Sequence, residues 1–542
     1  MAEHVTDGWR TASGLPLAPW YDASDVPDDW WAAVGAPPGR APFLRGPYEG
    51  MYRTQPWRIF QLSGYGNPED EGRRLRFLLE QGETGFIMEH DRNTADHLYD
   101  VDNPEVVARR EDVGRVGAVI MSVRDYETVL EGIPLESVYA HPGGGVVQHA
   151  PFTLAAYWTV ARRRGIALDR LYGTGQSDFF LTYVGCPPKQ QIPPAAGLRL
   201  NADIIEFCEQ HLPHWVPVSI AGYNGADSGL NGVQELGAVM AAAVAHLDEI
   251  ARRGHADLSA LARGVGGINL RASMDLFEDV AKFRAARKMW HDLLATRYGI
   301  TNPRSSQLRI HALTAGSAMT YQQPLNNLVR GTIMGLAGVL GGAQSLGVSG
   351  YDEAISIPSD HAHQMSIRTQ QILQHETPLM AVADPFAGSY FIESLTADVL
   401  EAAWAVFEQI EARGGFIACL DDGWLHDLAR DNEAELNRRR REGNAHTIGV
   451  TTARSDVSPF TVQGFEGTTD AWERGMERLA ALRRERDGAA TTAALRELGR
   501  ACATGANTMP AVLEAVAADA TIGEIGDVFR AEFGDWDSPI RW

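Results

Sequence analysis

The chain has 542 residues, 44% hydrophobic and 22% charged, proportions that fit a globular protein with one large domain and flanking segments. Its formal net charge of −22 excludes the basic footprint that nucleic-acid binding requires. No apolar run reaches the roughly 18 residues of a membrane helix, and the polar start of the sequence is not a signal peptide, so a cytoplasmic location is expected.

Residues 1–50 are rich in Pro, Gly and Trp with little periodicity, and are expected to form an extended arm wrapping the barrel or a partner subunit. Residues 51–375 alternate short apolar strands with amphipathic helices. Strands are predicted at 57–63, 85–90, 137–141, 170–175, 216–222, about 262–270, 308–314 and 343–348. Helices are predicted at 151–164, 231–253, 274–297 and 325–340, where apolar residues recur at i, i+3, i+4. Strand, loop and helix repeated in this way predict an α/β fold of the (β/α)₈ TIM-barrel type, with its active site at the strand C-termini. Residues 376–445 read as barrel-packing helices, including one at 394–413, and 446–542 as a linker and a C-terminal helical segment. The Arg run at 438–441 reads as a solvated helix face.

The four cysteines, Cys186, Cys208, Cys419 and Cys502, form no CxxC pair or metal-spaced cluster, and no metal site is expected. Glu89 closes the second strand. It is either a bore-facing carboxyl with a desolvated, raised pKa or a strand-end residue paired with Arg92. His311, inside the seventh strand, is a substrate contact or a satisfied core histidine. HisProGlyGlyGlyValValGlnHis (141–149) is a barrel-mouth turn or an anion nest flanked by His141 and His149. Asp178 is expected to tie down the loop after Gln176.

Further runs point to one family. ArgGlyProTyr (45–48), MetTyrArg (51–53), GlyThrGlyGlnSerAsp (173–178), AlaGlyTyr (221–223), AspValAlaLysPheArgAlaAlaArg (279–287), GlyGlyAlaGlnSerLeu (341–346), TyrAspGluAla (351–354), ArgThrGlnGlnIleLeu (368–373) and AspProPheAlaGlySerTyr (384–390) are collinear landmarks. On them the chain resembles the large, substrate-binding subunit of adenosylcobalamin-dependent acyl-CoA mutases. The pattern is nearest the stand-alone isobutyryl-CoA and 2-hydroxyisobutyryl-CoA enzymes. The resemblance implies a barrel that holds a thioester in its bore, and cobalamin carried by a flavodoxin-like domain through an AspXHisXXGly loop. No such loop occurs here, so the resemblance implies a separate small cobalamin-binding subunit and a homodimer or heterotetramer.

Carried over position by position, the resemblance makes Thr174 and Gln176 contacts of the acyl end, Tyr223 a strand-end contact, and Tyr48 and Met51 linings of the entry channel. Asn224 replaces a histidine that donates to the thioester carbonyl; it still donates a hydrogen bond but transfers no proton near neutral pH. Leu62 takes the substrate-facing place on the first strand. Gln55 and the neighbourhood of Gly185 replace arginines that would hold a substrate carboxylate. Glu89 aligns with an Asp that binds a substrate hydroxyl. Gly316, Asp227 and Gln344 are assigned to the cofactor face, where Leu313, Ser317, Met334 and Gly347 depart from the family pattern. Phe60 and Val265 stand where arginines grip the CoA arm.

The resemblance therefore implies an isomerase acting on an acyl thioester, carried on CoA or a carrier protein, that lacks a free carboxylate and so is not methylmalonyl-CoA. Two alternatives stay open. One is a barrel that has lost cobalamin and CoA and uses Glu89, Tyr223 and His311 for acid–base chemistry. The other is a non-catalytic binding subunit.

Overall fold

The computed structural model describes residues 9–185, 191–255, 257–455, 462, 464–465 and 467–540. Cys186 and parts of the linker expected after residue 445 lie outside the described residues.

Ten strands form one sheet: β1 (Arg58–Phe60), β2 (Leu62–Ser63), β3 (Gly85–Met88), β4 (Tyr139–His141), β5 (Gly144–Val146), β6 (Tyr172–Asp178), β7 (Trp215–Ala221), β8 (Gly267–Ala272), β9 (Arg309–Thr314) and β10 (Ser345–Gly347). All pairings are parallel, in the order β1-β10-β9-β8-β7-β6-β4-β3-β2. The first strand position is broken at Gln61. Its lower half, β1, pairs with β10 and its upper half, β2, pairs with β3, so the ring has eight positions and closes on itself. The TIM-type barrel is thus present, with its helices outside.

The helices follow from their sequences. Pro68–Gln81 starts with Pro at its first turn behind an Asn67–Asp70 capping box and stops at Gly82, whose φ of 109° suits glycine. The predicted helices appear as Ala150–Arg163, Gly232–Arg252, Leu276–Tyr298 and Asn326–Leu340. The sixth strand is corrected. Residues expected to begin it belong to the helix Leu258–Val265, whose Leu261, Ala262 and Val265 are buried at helical spacing, and the strand starts only at Gly267. The glycine-rich run after the third strand is also more than a turn, because Gly144–Val146 pairs with Gln176–Asp178 as an inserted parallel strand.

The arm from residue 9 lies along Leu276–Tyr298. The Ala12 N–H donates to Asp275 at 2.6 Å, the Ser13 hydroxyl to Glu278 at 2.6 Å, and Arg287 to the Phe43 carbonyl at 3.0 Å. Below it, Arg284 meets Glu393 at 2.7 Å with both side chains fully buried. Lys282 is also fully enclosed, between Glu235 at 2.6 Å and Asp279 at 2.9 Å. The last four helices, Ala471–Glu485, Gly488–Thr504, Met509–Ala517 and Ile522–Phe533, share a core with Ala150–Arg163 on the barrel flank. Arg478 pins them there through Asp125 at 2.9 Å, and Arg483 through Asp100 at 2.9 Å. Arg438 of the arginine run pairs with Glu435 and Glu442 on an exposed face. Among the described residues no helix is long and apolar enough to cross a membrane.

Candidate active site

A cavity of about 470 Å³ runs through the bore from one end of the strands to the other. Because side chains alternate along a strand, Arg309, His311 and Leu313 step up one wall of it, and Arg58, Phe60 and Leu62 another.

The lower, N-terminal mouth is cationic. The Arg58 guanidinium stacks over the Tyr139 ring at 4.3 Å. Arg309 is held by the Arg263 carbonyl at 2.5 Å. Arg58, Arg263, Arg304 and Arg309 make no ion pair among the described residues. Burial, then the charges of Arg309 and Arg304, lower the pKa of Arg263. Arg58 and Arg309, two guanidiniums lining the bore without an ion pair in a chain of net charge −22, mark a place for an anion. Tyr48, Met51 and Gln55 gather around an adjoining pocket of about 360 Å³ that shares Tyr48 and Arg58 with the bore. Gln344 is here as well, accepting from Ile310 N at 2.9 Å and donating to the Gly342 carbonyl at 2.7 Å. It precedes β10, so it stands at the opposite end from Asp227 and Gly316 and does not share a site with them.

Thr174 and Gln176 do not end the fourth strand position; they lie within β6, which continues to Asp178, and both face the bore. Higher up are Leu62 and Glu89. The Glu89 carboxyl borders the cavity and makes no ion pair among the described residues; Arg92 turns instead to Asp96 at 3.3 Å. Burial, then the charge of Asp96, pushes the Glu89 pKa up to about 8. A Cβ on Gly145 would stand 3.7 Å from Glu89 Oε1, so the inserted β5 walls the pocket in front of this carboxyl.

At the C-terminal end, Tyr223 falls just past β7, in the first turn of the short helix Gly222–Asp227. Its phenol stands near Asp227, Glu353 and Gly316; burial, then those two carboxylates, push its pKa up, so it remains a neutral donor. Asp227 is committed to the loop after β9, accepting from Gly316 N at 3.0 Å and from the Ser317 hydroxyl at 2.8 Å. The Asn224 amide donates to Asp178, which also accepts from Phe180 N at 2.9 Å and Leu181 N at 3.1 Å. Asn224 thus braces the loop that Asp178 ties down. Beyond the bore this end opens into a cleft of about 1860 Å³ bordered by the arm, Asp227, Ser317 and Arg440.

That open end fits a large planar cofactor such as cobalamin in shape only. Among the described residues no group of three His, Cys, Asp or Glu side chains could hold a metal ion. Tyr223, Gly316 and Ser317 are the groups of this chain that would meet the cofactor.

Sequence reasoning missed Arg58, Arg309, Tyr139, Asn269 and Glu353, all of which line the bore. Period-two alternation back from Leu62 and His311 would have found the two arginines. Glu353, whose pKa burial and then Asp352 raise to about 7, comes from a loop with no periodic signal.

Glu89 gives a pH-dependent prediction. With its folded pKa above the unfolded value, stability is full below about pH 4.5 and falls as pH rises through about 8. Glu89→Gln should therefore match the parent near pH 4.5 and exceed it at pH 9 by roughly 2–4 kcal/mol, read by urea unfolding at both pH values.

The family model for methylmalonyl-CoA mutase matches residues 10–535. The chain is 34% identical over 538 residues to the 2-hydroxyisobutanoyl-CoA mutase large subunit of Aquincola tertiaricarbonis, covering 98% of this chain and 93% of that one. It is 33% identical to methylmalonyl-CoA mutase of Escherichia coli, covering 98% of this chain and 73% of that one. It is 30% identical to the human mitochondrial methylmalonyl-CoA mutase, with 97% and 69% covered. The chain thus belongs to the methylmalonyl-CoA mutase family, a family of isomerases.

Proposed function

We propose that the chain is the substrate-binding large subunit of a carbon-skeleton mutase that rearranges an acyl thioester without a free carboxylate, in partnership with a separate small cobalamin-binding subunit. The observation that carries this reading is the state of the arginines in the upper bore. Arg92 is taken by Asp96 at 3.3 Å, Arg74 by Asp360 at 2.6 Å, and Arg271 by the Leu230 carbonyl at 3.3 Å and Asp227 at 3.7 Å. A substrate carboxylate beside Glu89 would meet guanidiniums already paired with carboxylates, only Arg74 keeping an Nη2 without a hydrogen bond, and one carboxyl group. A substrate hydroxyl there would find in neutral Glu89 both a donor and an acceptor.

The cationic lower mouth supports a phosphate-tailed carrier, coenzyme A, entering with its phosphates at Arg58 and Arg309 and its acyl end upward. Adenosylcobalamin, when bound at the upper end, supplies a carbon radical that takes and returns a substrate hydrogen. The residues of this chain do the remaining work. Gln176 and Thr174 orient the acyl group, Glu89 selects its substituent, and the apolar wall of Phe60, Leu62 and Leu313 excludes water. Acid–base catalysis by Glu89, Tyr223 and His311 is less well supported, because the Tyr223 phenol is held among Asp227 and Glu353 beyond β7 and His311 lies within β9.

The test is turnover by the purified chain mixed with its small subunit and adenosylcobalamin. The substrates are 2-hydroxyisobutyryl-CoA, isobutyryl-CoA and methylmalonyl-CoA, with products separated by mass spectrometry. Rearrangement of a carboxylate-free substrate at a rate at least 100-fold above methylmalonyl-CoA is expected. A preference for methylmalonyl-CoA would overturn the reading.

A further inference from the structure

Behind Glu89 lies a chain of three buried rings. Glu89, just past β3, borders the bore, and the next residue, His90, points to the other face of the wall. There His90 Nδ1 meets His149 Nε2 at 2.8 Å, and His90 Nε2 meets the Tyr126 hydroxyl oxygen at 3.1 Å. The Tyr126 O–H donates to the Pro142 carbonyl at 2.5 Å. His90 is 1% exposed, and His149 and Tyr126 are fully buried. Burial, then His149, hold the His90 pKa well below the usual histidine range, so its ring is neutral. The donors follow from this. Tyr126 has one proton and gives it to Pro142, so toward His90 its oxygen accepts. His90 therefore carries its proton on Nε2, and its Nδ1 accepts from His149 Nε2. The hydrogen bonds from His149 through His90 and Tyr126 to Pro142 all run one way.

The two ends of this chain are the two ends of the glycine-rich insert. Pro142 precedes β5, and His149 follows it at the start of Ala150–Arg163. Gly143 and Gly145 have φ of 112° and 121°, and three glycines in a row keep much backbone freedom and offer no side chains to pack. A Cβ on Gly143 would stand 2.6 Å from His90 Nε2, so the ring closes directly on that backbone. The insert also pairs with β6, and Gly145 backs two bore-lining side chains. Its Cβ would stand 3.3 Å from Leu181 Cδ2 and 3.7 Å from Glu89 Oε1.

We infer that His149, His90 and Tyr126 are positioning residues that clasp the insert at both ends and hold it against Glu89, sheltering that carboxyl where it meets the acyl substituent. The link to the substituent rests on the acyl-thioester reading above; the clasp itself does not. Asp96, Arg92 and Glu71 are the charged groups that act on Glu89, and none of them belongs to the insert. The insert therefore acts on Glu89 by excluding water, and releasing it should let the carboxyl ionise at lower pH.

A double-mutant cycle on the full chain tests the clasp. Tyr126→Phe keeps the ring and removes the O–H that grips Pro142. The stability that Glu89→Gln adds at pH 9 is read by urea unfolding in the parent and in Tyr126→Phe. Once water reaches Glu89, its charged form is penalised less, so the gain should fall to less than half of its parental value. An unchanged gain overturns the clasp, because lost packing alone would lower stability without altering what Glu89→Gln adds. So does a parent in which Glu89→Gln adds nothing at pH 9, since no sheltered carboxyl would then exist. Should Tyr126→Phe fail to fold, His149→Phe, which breaks the chain at its other end, takes its place in the cycle. For substrate choice, kcat/KM for 2-hydroxyisobutyryl-CoA relative to isobutyryl-CoA should fall about 10-fold in Tyr126→Phe, with coenzyme A affinity unchanged. An unchanged ratio overturns the link from clasp to substrate. A parent that prefers methylmalonyl-CoA overturns the thioester reading instead, and the cycle still decides the clasp.

Discussion

Arg58→Ala should weaken coenzyme A binding about 10- to 100-fold, and Arg58→Ala/Arg309→Ala by at least a further 10-fold. Hydrogen bonds between charged groups contribute about 1.5–3 kcal/mol each, and a tenfold change is about 1.4 kcal/mol. The effect is expected to be large because these side chains have no carboxylate partner to fall back on. Arg58 rests on the Tyr139 ring, and Arg309 is oriented by backbone carbonyls. Removing them breaks no ion pair of the fold, so the variants should unfold at parental denaturant concentrations. Titration calorimetry at 50 and 200 mM salt checks both points. The parent should lose affinity with salt, and the double variant should lose much less.

Lys282→Met should destabilise the chain by about 3–5 kcal/mol, the cost of leaving buried charge without its partner. Lys282 is 1% exposed and its ammonium is fully committed. It donates to Glu235 at 2.6 Å and to the Arg271 carbonyl at 2.6 Å, and pairs with Asp279 at 2.9 Å. Without it two enclosed carboxylates face each other. The triple change Lys282→Met/Glu235→Gln/Asp279→Asn should recover more than half of the loss, because it removes the charges together. The sign with pH follows from the groups. Burial raises the Glu235 pKa even with the lysine present, so without it the penalty should shrink as pH falls and the Glu235 carboxyl takes up a proton. Asp279 and Lys282 also fix the segment between β8 and Leu276–Tyr298, through the Ser273 hydroxyl at 2.8 Å. Urea unfolding at pH 5 and pH 8 reads stability, and coenzyme A affinity shows whether the damage reaches the bore.

The barrel was legible in the sequence because its helices carry apolar residues at helical spacing, and because Phe86, Ile310 and Leu346 mark strands between them. Register was less legible. A strand buried on both faces reads as a continuous apolar run, so its ends blur. Ala262 and Val265 extended the sixth strand backward for that reason, whereas helical burial claims them. The break at Gln61 and the inserted strand Gly144–Val146 are set by pairing across the barrel, which local sequence does not report.

The candidate site was legible where residues in the upper parts of the strands face inward. Glu89, Thr174, Gln176 and Leu62 do line one cavity. It was not legible at the lower mouth, because attention to strand C-termini leaves their beginnings unread; Arg58 and Arg309 open β1 and β9. Gln344 was assigned to the wrong end for a related reason. Its side chain bonds the backbone at Ile310 and Gly342 just before β10, and a sequence alignment carries no sense of which mouth that is. Asn224, read as a donor to the substrate, is engaged by Asp178, a partner 46 residues away.

The most direct test of the account is a crystal structure of the chain with a coenzyme A thioester bound. The account predicts that the phosphates lie against Arg58 and Arg309 and that the acyl group ends beside Glu89. A thioester bound outside the bore, or threaded with its phosphates at the Tyr223 end, would contradict it.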